Sequence, residues 1–118
     1  IRAALESIPY QIKDVIAAME ADSGLDLREL NIDGGISNNS FVTHFLADLL
    51  AKPVSHIGIP DVSALGAAYL AGLSLGIFKN IDHLKTLQNK KIIKPAENLS
   101  MNKNYQGWVN ALKANNKP

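Results

Sequence analysis

Asp33-Gly34-Gly35, followed by Asn39, constrains the fold of this chain more than any other stretch, because it stands where a short apolar strand stops and an amphipathic helix starts. Two adjacent glycines permit a sharp turn and leave peptide groups open to a flat ligand that a Cβ would hold off. The helix that follows presents free N–H groups. Such a corner suits a nucleotide. Asn39 is expected in the first turns of that helix, where its amide offers a donor and an acceptor to a base edge.

Around the corner, helical and extended patterns alternate. Ile1, Leu5, Ile8, Ile12, Val15, Ile16 and Met19 follow helical spacing, which predicts a helix over 1–23 closed by Gly24 in the left-handed conformation. Pro9 removes one ladder hydrogen bond, so a kink or a weak first turn is expected. Residues 28–33 read as a strand with Leu30 and Ile32 on one face. The next helix, about 37–51, carries Phe41, Phe45, Leu46, Leu49 and Leu50 as its stripe, with Ser37 or Asn38 near its cap. Pro53 to Ile57 is a second strand, and Gly58 and Pro60 mark a loop. Asp61 or Ser63 then caps a third helix running to about Phe78.

Ala64 to Phe78 carries no charge. It is shorter than the ~20 apolar residues a bilayer span needs, so a buried helix is expected, with no membrane partner. Ala64, Ala68, Gly72 and Gly76 form a smooth ridge suited to close packing.

Two strands separated by helices imply an α/β fold with parallel strands and a right-handed crossover, its ligand at the carboxyl ends of the strands. Two strands alone leave both edges open. The remaining strands are therefore expected upstream of Ile1, where the helical pattern is already running without a cap, and the chain is read as a piece of something longer. Taken alone, it is expected to be marginally stable or to associate through its open edge and small-residue helix. The absence of cysteine excludes disulfides and thiolate metal sites.

Charge is unevenly spread. Residues 1–84 carry ten acids against five Lys and Arg, and residues 85–118 carry seven Lys against one Glu. The basic end lacks a row of aromatics for base stacking, so it reads as a solvated surface segment without a nucleic-acid partner. His44, His56 and His83 lack metal-ligand spacing, and His44 with Asp48 reads as a solvated pair on one helix face. Ser63 and Ser74 have no nucleophile elbow around them. The glycine corner has neither a Walker Lys-Ser/Thr nor a GxGxxG fingerprint, which disfavours P-loop and Rossmann proteins.

Three colinear stretches carry a family resemblance: Leu5-Glu6-Ser7-Ile8 with Tyr10-Gln11, Asp33 to Asn39, and Ser63 to Leu73. With Asn104-Tyr105 and Gly107-Trp108 at the end, they resemble the C-terminal part of the FGGY carbohydrate kinases, in their glycerol kinase branch. The resemblance implies part of a ribonuclease H-like, actin-like ATPase domain, with residues 1–84 its C-terminal half and 85–118 a basic extension ending in a helix. It implies an ATP-dependent phosphotransferase acting on glycerol, cytoplasmic, with Mg²⁺ bound mainly by parts outside this chain. The catalytic Asp is expected upstream of Ile1.

By the same pattern Gly35 gives backbone contact to the adenosine part of ATP and Asn39 hydrogen-bonds the adenine. Asn39 stands four residues after Gly35 as the pattern requires, with Asn38 the runner-up. Asp33 is read as organising the turn by bonding downstream N–H groups. Expected partners are the rest of the same kinase chain, ATP and glycerol, with room for a homo-oligomer. Xylulokinase or another sugar kinase is the nearest alternative, and a non-catalytic nucleotide-binding or assembly module is the alternative from a different class. Pro9, and Ile36, Ser37 and Asn38 in place of mostly small residues, depart from the family pattern.

Overall fold

The computed structural model describes residues 1–59, 61–96 and 100–115, so Pro60 of the expected loop and the last three residues of the basic end lie outside the described residues. The element order is α1 (Arg2–Ser23), β1 (Leu30–Asn31), a 3-10 turn (Gly35–Asn38), α2 (Ser40–Leu50), β2 (Val54–His56), α3 (Val62–Ser74), α4 (Ile81–Thr86), β3 (Lys91–Ile93) and α5 (Ser100–Asn115). The fold is mixed α/β of the ribonuclease H-like kind. Helix α1 stops as expected: Gly24 sits at φ 68° and its N–H donates to the Glu20 carbonyl at 2.9 Å. The helix continues through Pro9, whose ring is buried.

The sheet has three strands among the described residues, in the order β1-β2-β3, where two had been expected. β1 runs parallel to β2 with Leu30 opposite Val54, and β3 runs antiparallel to β2 with Ile93 opposite Val54. β3 comes from the basic end. Only Ile93 of its three residues is buried, so a short Lys-Ile-Ile run among lysines gave no periodicity to read. Lys91 and Lys94 stand exposed on what is now a sheet edge, where charge discourages further strands from adding. The basic end is thus partly built into the fold rather than wholly solvated.

Strand alternation sorts the sheet into two unlike faces. Leu30, Ile32, Val54 and Ile93 turn toward α2 and pack with Leu46, Ala47, Leu50 and Ile12. Each buried Leu or Val contributes roughly 1.5–3 kcal/mol, so this face holds α1, α2 and the sheet together. The opposite face carries Asn31 and Ser55 beside a half-exposed Ile92. Ser55, fully buried, lies 2.6 Å from Glu29 Oε1 and 2.7 Å from the Asn31 side chain. Its hydroxyl has one proton to give, and the carboxylate is the stronger acceptor, so Asn31 is satisfied with its amide turned to donate. Lys90 meets Glu29 at 2.5 Å, and its hydrogen bond, with that of Ser55, holds the Glu29 carboxyl below its usual range.

α3 is not the buried helix the sequence suggests. Leu70, Leu75 and Ile77 are 68%, 76% and 65% exposed, and Gly72 is the one buried residue of α3. α3 also ends at Ser74, short of Phe78, because Gly76 at φ 71° reverses the chain and Phe78 folds back over Gly72. Asp61, one of the two expected caps, accepts from the Ala64 N–H at 2.9 Å. No helix among the described residues is long and apolar enough to cross a membrane.

A second cluster docks α5. Tyr10, Phe45 and Leu49 pack with Met101, Tyr105 and Trp108, and Trp108 stacks on Tyr10 with ring centroids 5.5 Å apart. Asp14 on α1 accepts from both the Tyr105 hydroxyl and Trp108 Nε1, the latter at 2.9 Å. Lys13 donates to the Leu49 carbonyl at 3.1 Å while its Nζ stands 4.4 Å from the centre of the Tyr105 ring, completing the last turn of α2.

Candidate functional site

The corner begins where β1 ends. Ile32 still donates to the Ser55 carbonyl at 2.9 Å, and the chain then leaves the sheet. Gly34 adopts φ 78° and ψ −178°, a region open in practice only to glycine. Gly35 is different. Its φ is ordinary, and no atom lies within 4 Å of where its Cβ would stand. The turn requires the first glycine, whereas neither the backbone nor the packing of this chain requires the second.

Ser37, only 6% exposed, closes the turn. Its Oγ donates to the Gly34 carbonyl at 2.7 Å and its N–H donates to the same oxygen at 3.1 Å. This corrects the expectation for Asp33, whose carboxylate has no hydrogen bond within the described residues. Asp33 is exposed and lines a cavity of about 270 Å³ with Asn31, Ser55, His56 and Lys90. The downstream N–H groups go to backbone carbonyls instead, Ser37 N–H to Gly34 and Asn39 N–H to Ile36. Sequence reasoning had considered Ser37 only as a helix cap.

Asn39 is the cap. It sits in extended conformation at φ −83°, ψ 102°, its carbonyl accepts from Thr43 N–H at 3.1 Å, and its Oδ1 accepts from Val42 N–H at 3.2 Å. It therefore stands just before α2, not in its first turns, and it replaces Ser37 and Asn38 as the capping residue. The 3-10 turn uses up the residues that the helical pattern would have claimed. Oδ1 has one of its two lone pairs committed to the helix, and the amide NH₂ remains a donor. Asn39 is half-buried and Asn38 exposed, so both glycine and asparagine candidates stand together on one turn at the carboxyl end of β1.

The other polar candidates form no second site. His44 Nδ1 contacts the Ser40 carbonyl at 2.7 Å, and Asp48 accepts from Ala96 N–H at 2.7 Å, so the two are not an ion pair. Among the described residues no group of three or more His, Cys, Asp or Glu could hold a metal ion. An open groove of about 630 Å³ between α1 and α5, bordered by Arg2, Glu6, Lys103 and Trp108, lies away from the corner.

Residues 1–75 match the model of the FGGY family of carbohydrate kinases, C-terminal domain. The chain belongs to the FGGY family. Among curated FGGY relatives, it is 47% identical over 116 residues to glycerol kinase of Bacillus anthracis (strain A0248) and 46% identical to that of Bacillus cereus (strain G9842). Each alignment covers 97% of this chain and 23% of the relative, so the chain spans about a quarter of the length of the proteins it matches. The crystal structure of Plasmodium falciparum glycerol kinase with ADP is similar at a TM-score of 0.84 and 26% identity, over 99% of this chain and 24% of that one.

Proposed function

We propose that this chain is the adenine-binding, C-terminal part of an ATP-dependent glycerol kinase, which transfers the γ-phosphoryl group of ATP to glycerol. The observation that carries this reading is Gly35, a bare backbone position that the fold itself does not need. A missing Cβ at an open, unstrained position is explained when something outside the chain must approach the peptide. Similarity to a glycerol kinase whose structure was solved with ADP supports a nucleotide as that ligand.

In this reading Gly35 gives its backbone face to adenosine and Asn39 donates its NH₂ to the base. Residues 1–84 supply the C-terminal half of the ATP-binding domain, and residues 85–118 form the basic extension ending in α5. The catalytic Asp, the grip on glycerol and most Mg²⁺ ligands belong to the rest of the kinase chain, which also covers the exposed α3 and the open edge of β1. Phosphoryl transfer depends on positioning and charge stabilisation, so this part alone is inactive. The kinase is cytoplasmic, with room for a homo-oligomer. Glycerol is favoured over xylulose because the glycerol kinases match along 97% of the chain, not at the corner alone.

The test is phosphorylation of a panel of polyols and sugars by the full-length protein, with Gly35→Val alongside. Glycerol should be the preferred acceptor, and Gly35→Val should lose nucleotide binding by steric exclusion. Preference for a pentulose would replace glycerol kinase with the xylulokinase alternative, and normal ATP affinity in Gly35→Val would remove the corner from the site.

A further inference from the structure

We propose that Ser37 is a positioning residue for nucleotide binding, fixing the peptide between Gly34 and Gly35 so that its open side faces the ligand. The inference rests on the nucleotide reading of the corner and adds a residue to it. Two donors from one residue converge on the Gly34 carbonyl, the hydroxyl at 2.7 Å and the amide at 3.1 Å. A trans peptide is planar, with its C=O and N–H pointing in opposite directions. Turning the Gly34 carbonyl toward Ser37 therefore turns the Gly35 N–H away from it, at a residue that is itself exposed and has open space where its Cβ would stand.

The need for such a clamp follows from the residues themselves. Gly34 and Gly35 are the two most permissive residues the corner could have, and their peptide would rotate freely without an anchor. Asp33 supplies none. Ser37 is buried while Gly35 and Asn38 beside it are exposed, so its hydroxyl serves the turn from inside and touches no ligand itself. Its effect on nucleotide acts through Gly35.

The test uses the full-length protein with Ser37→Ala and Ser37→Cys, the latter close in size but a weaker donor. ADP titration and steady-state kinetics are read together. Because the amide remains on the Gly34 carbonyl, Ser37→Ala should relax the peptide rather than free it, raising the Kd for ADP and the KM for ATP by about 3- to 10-fold. The KM for glycerol should hold, and Ser37→Cys should fall between Ala and the parent. Parental ADP affinity in Ser37→Ala overturns the proposal. So does a parallel rise in both KM values, which a general structural loss would produce. If Ser37→Ala does not fold, parental ADP affinity in Ser37→Cys overturns it equally. Gly35→Val separates the two levels: normal binding by Ser37→Ala alone removes the clamp and leaves the nucleotide site, whereas normal binding by Gly35→Val as well removes the site.

Discussion

Replacing Asn39 tests the corner most sharply, because this side chain holds two roles that different substitutions can pull apart. Its Oδ1 caps α2 through Val42 N–H, and its NH₂ is the group that the proposed reading assigns to adenine. The capping bond is 3.2 Å long, at the far end of the usual N–H···O range, and Asn39 is half-buried, so its loss belongs near the middle of the capping scale, about 1 kcal/mol. A base-reading hydrogen bond adds a separate loss of about 1–3 kcal/mol in ATP binding, since an unmatched polar group on the base is left behind. Asn39→Ala should therefore show both losses. Asn39→Asp should show only one: Asp caps as well as Asn but has no NH₂, and it presents an oxygen where the base expects a donor. Chemical denaturation of both variants measures the first effect, and ATP or ADP titration of the full-length protein measures the second, with glycerol binding as the internal control. Parental ATP affinity in Asn39→Asp would refute base reading, and parental stability in Asn39→Ala would refute the cap.

Two further predictions concern the frame. A Cβ at Gly72 would stand 2.4 Å from the Phe78 ring, which Tyr69 and His83 flank edge-on, so Gly72→Ala should destabilise by about 1–3 kcal/mol, and adding Phe78→Leu should recover part of it in thermal melts. The hydrogen bond to Asp14, helped by burial, pushes Tyr105 up to about 12 from 10.0 in the unfolded chain. The folded state then keeps a proton the unfolded state loses, so this contribution is intact below pH 10 and fades as pH rises toward 12. Fluorescence of Trp108, the single tryptophan, should report that loss, and Asp14→Asn should flatten it; an unchanged slope would rule out the clasp as its source.

What the sequence made legible follows from how local each signal is. α1 could be read to its last residue because Gly24 is a left-handed stop on an unbroken helical pattern. The glycine corner could be read because strand, turn and helix each carry their own pattern within ten residues. β3 could not: it exists only because Val54, Ser55 and His56 offer it a partner, and three residues hold no period. The length of α3 failed for a different reason. Its apolar run continues past Ser74, and Gly76, read as part of the small-residue ridge, is instead the left-handed residue at which the chain reverses and brings Phe78 back over Gly72. At the site, the types Gly35 and Asn39 were visible, while the division of labour was not. Asp33 looks like the organiser because Asp before Gly often is, yet the Gly34 carbonyl takes the Ser37 N–H and hydroxyl and leaves the carboxylate out of the turn.

The corner then reads as three positions with overlapping duties. Gly34 makes the turn possible, Ser37 bonds the carbonyl of its peptide, and Asn39 starts α2 and, in the proposed reading, offers its amide to the base. Gly35 alone has no duty to the fold. A substitution at Gly34 or Ser37, or one at Asn39 that removes the capping oxygen, disturbs the frame, so a loss of nucleotide binding there cannot by itself mark a ligand contact. Substitution at Gly35 changes only what the ligand meets. That asymmetry makes Gly35 the reference against which the other three must be measured, and in double-mutant cycles Ser37 should couple to Gly35 more strongly than Asn39 does, because Ser37 holds the carbonyl of the peptide whose N–H belongs to Gly35.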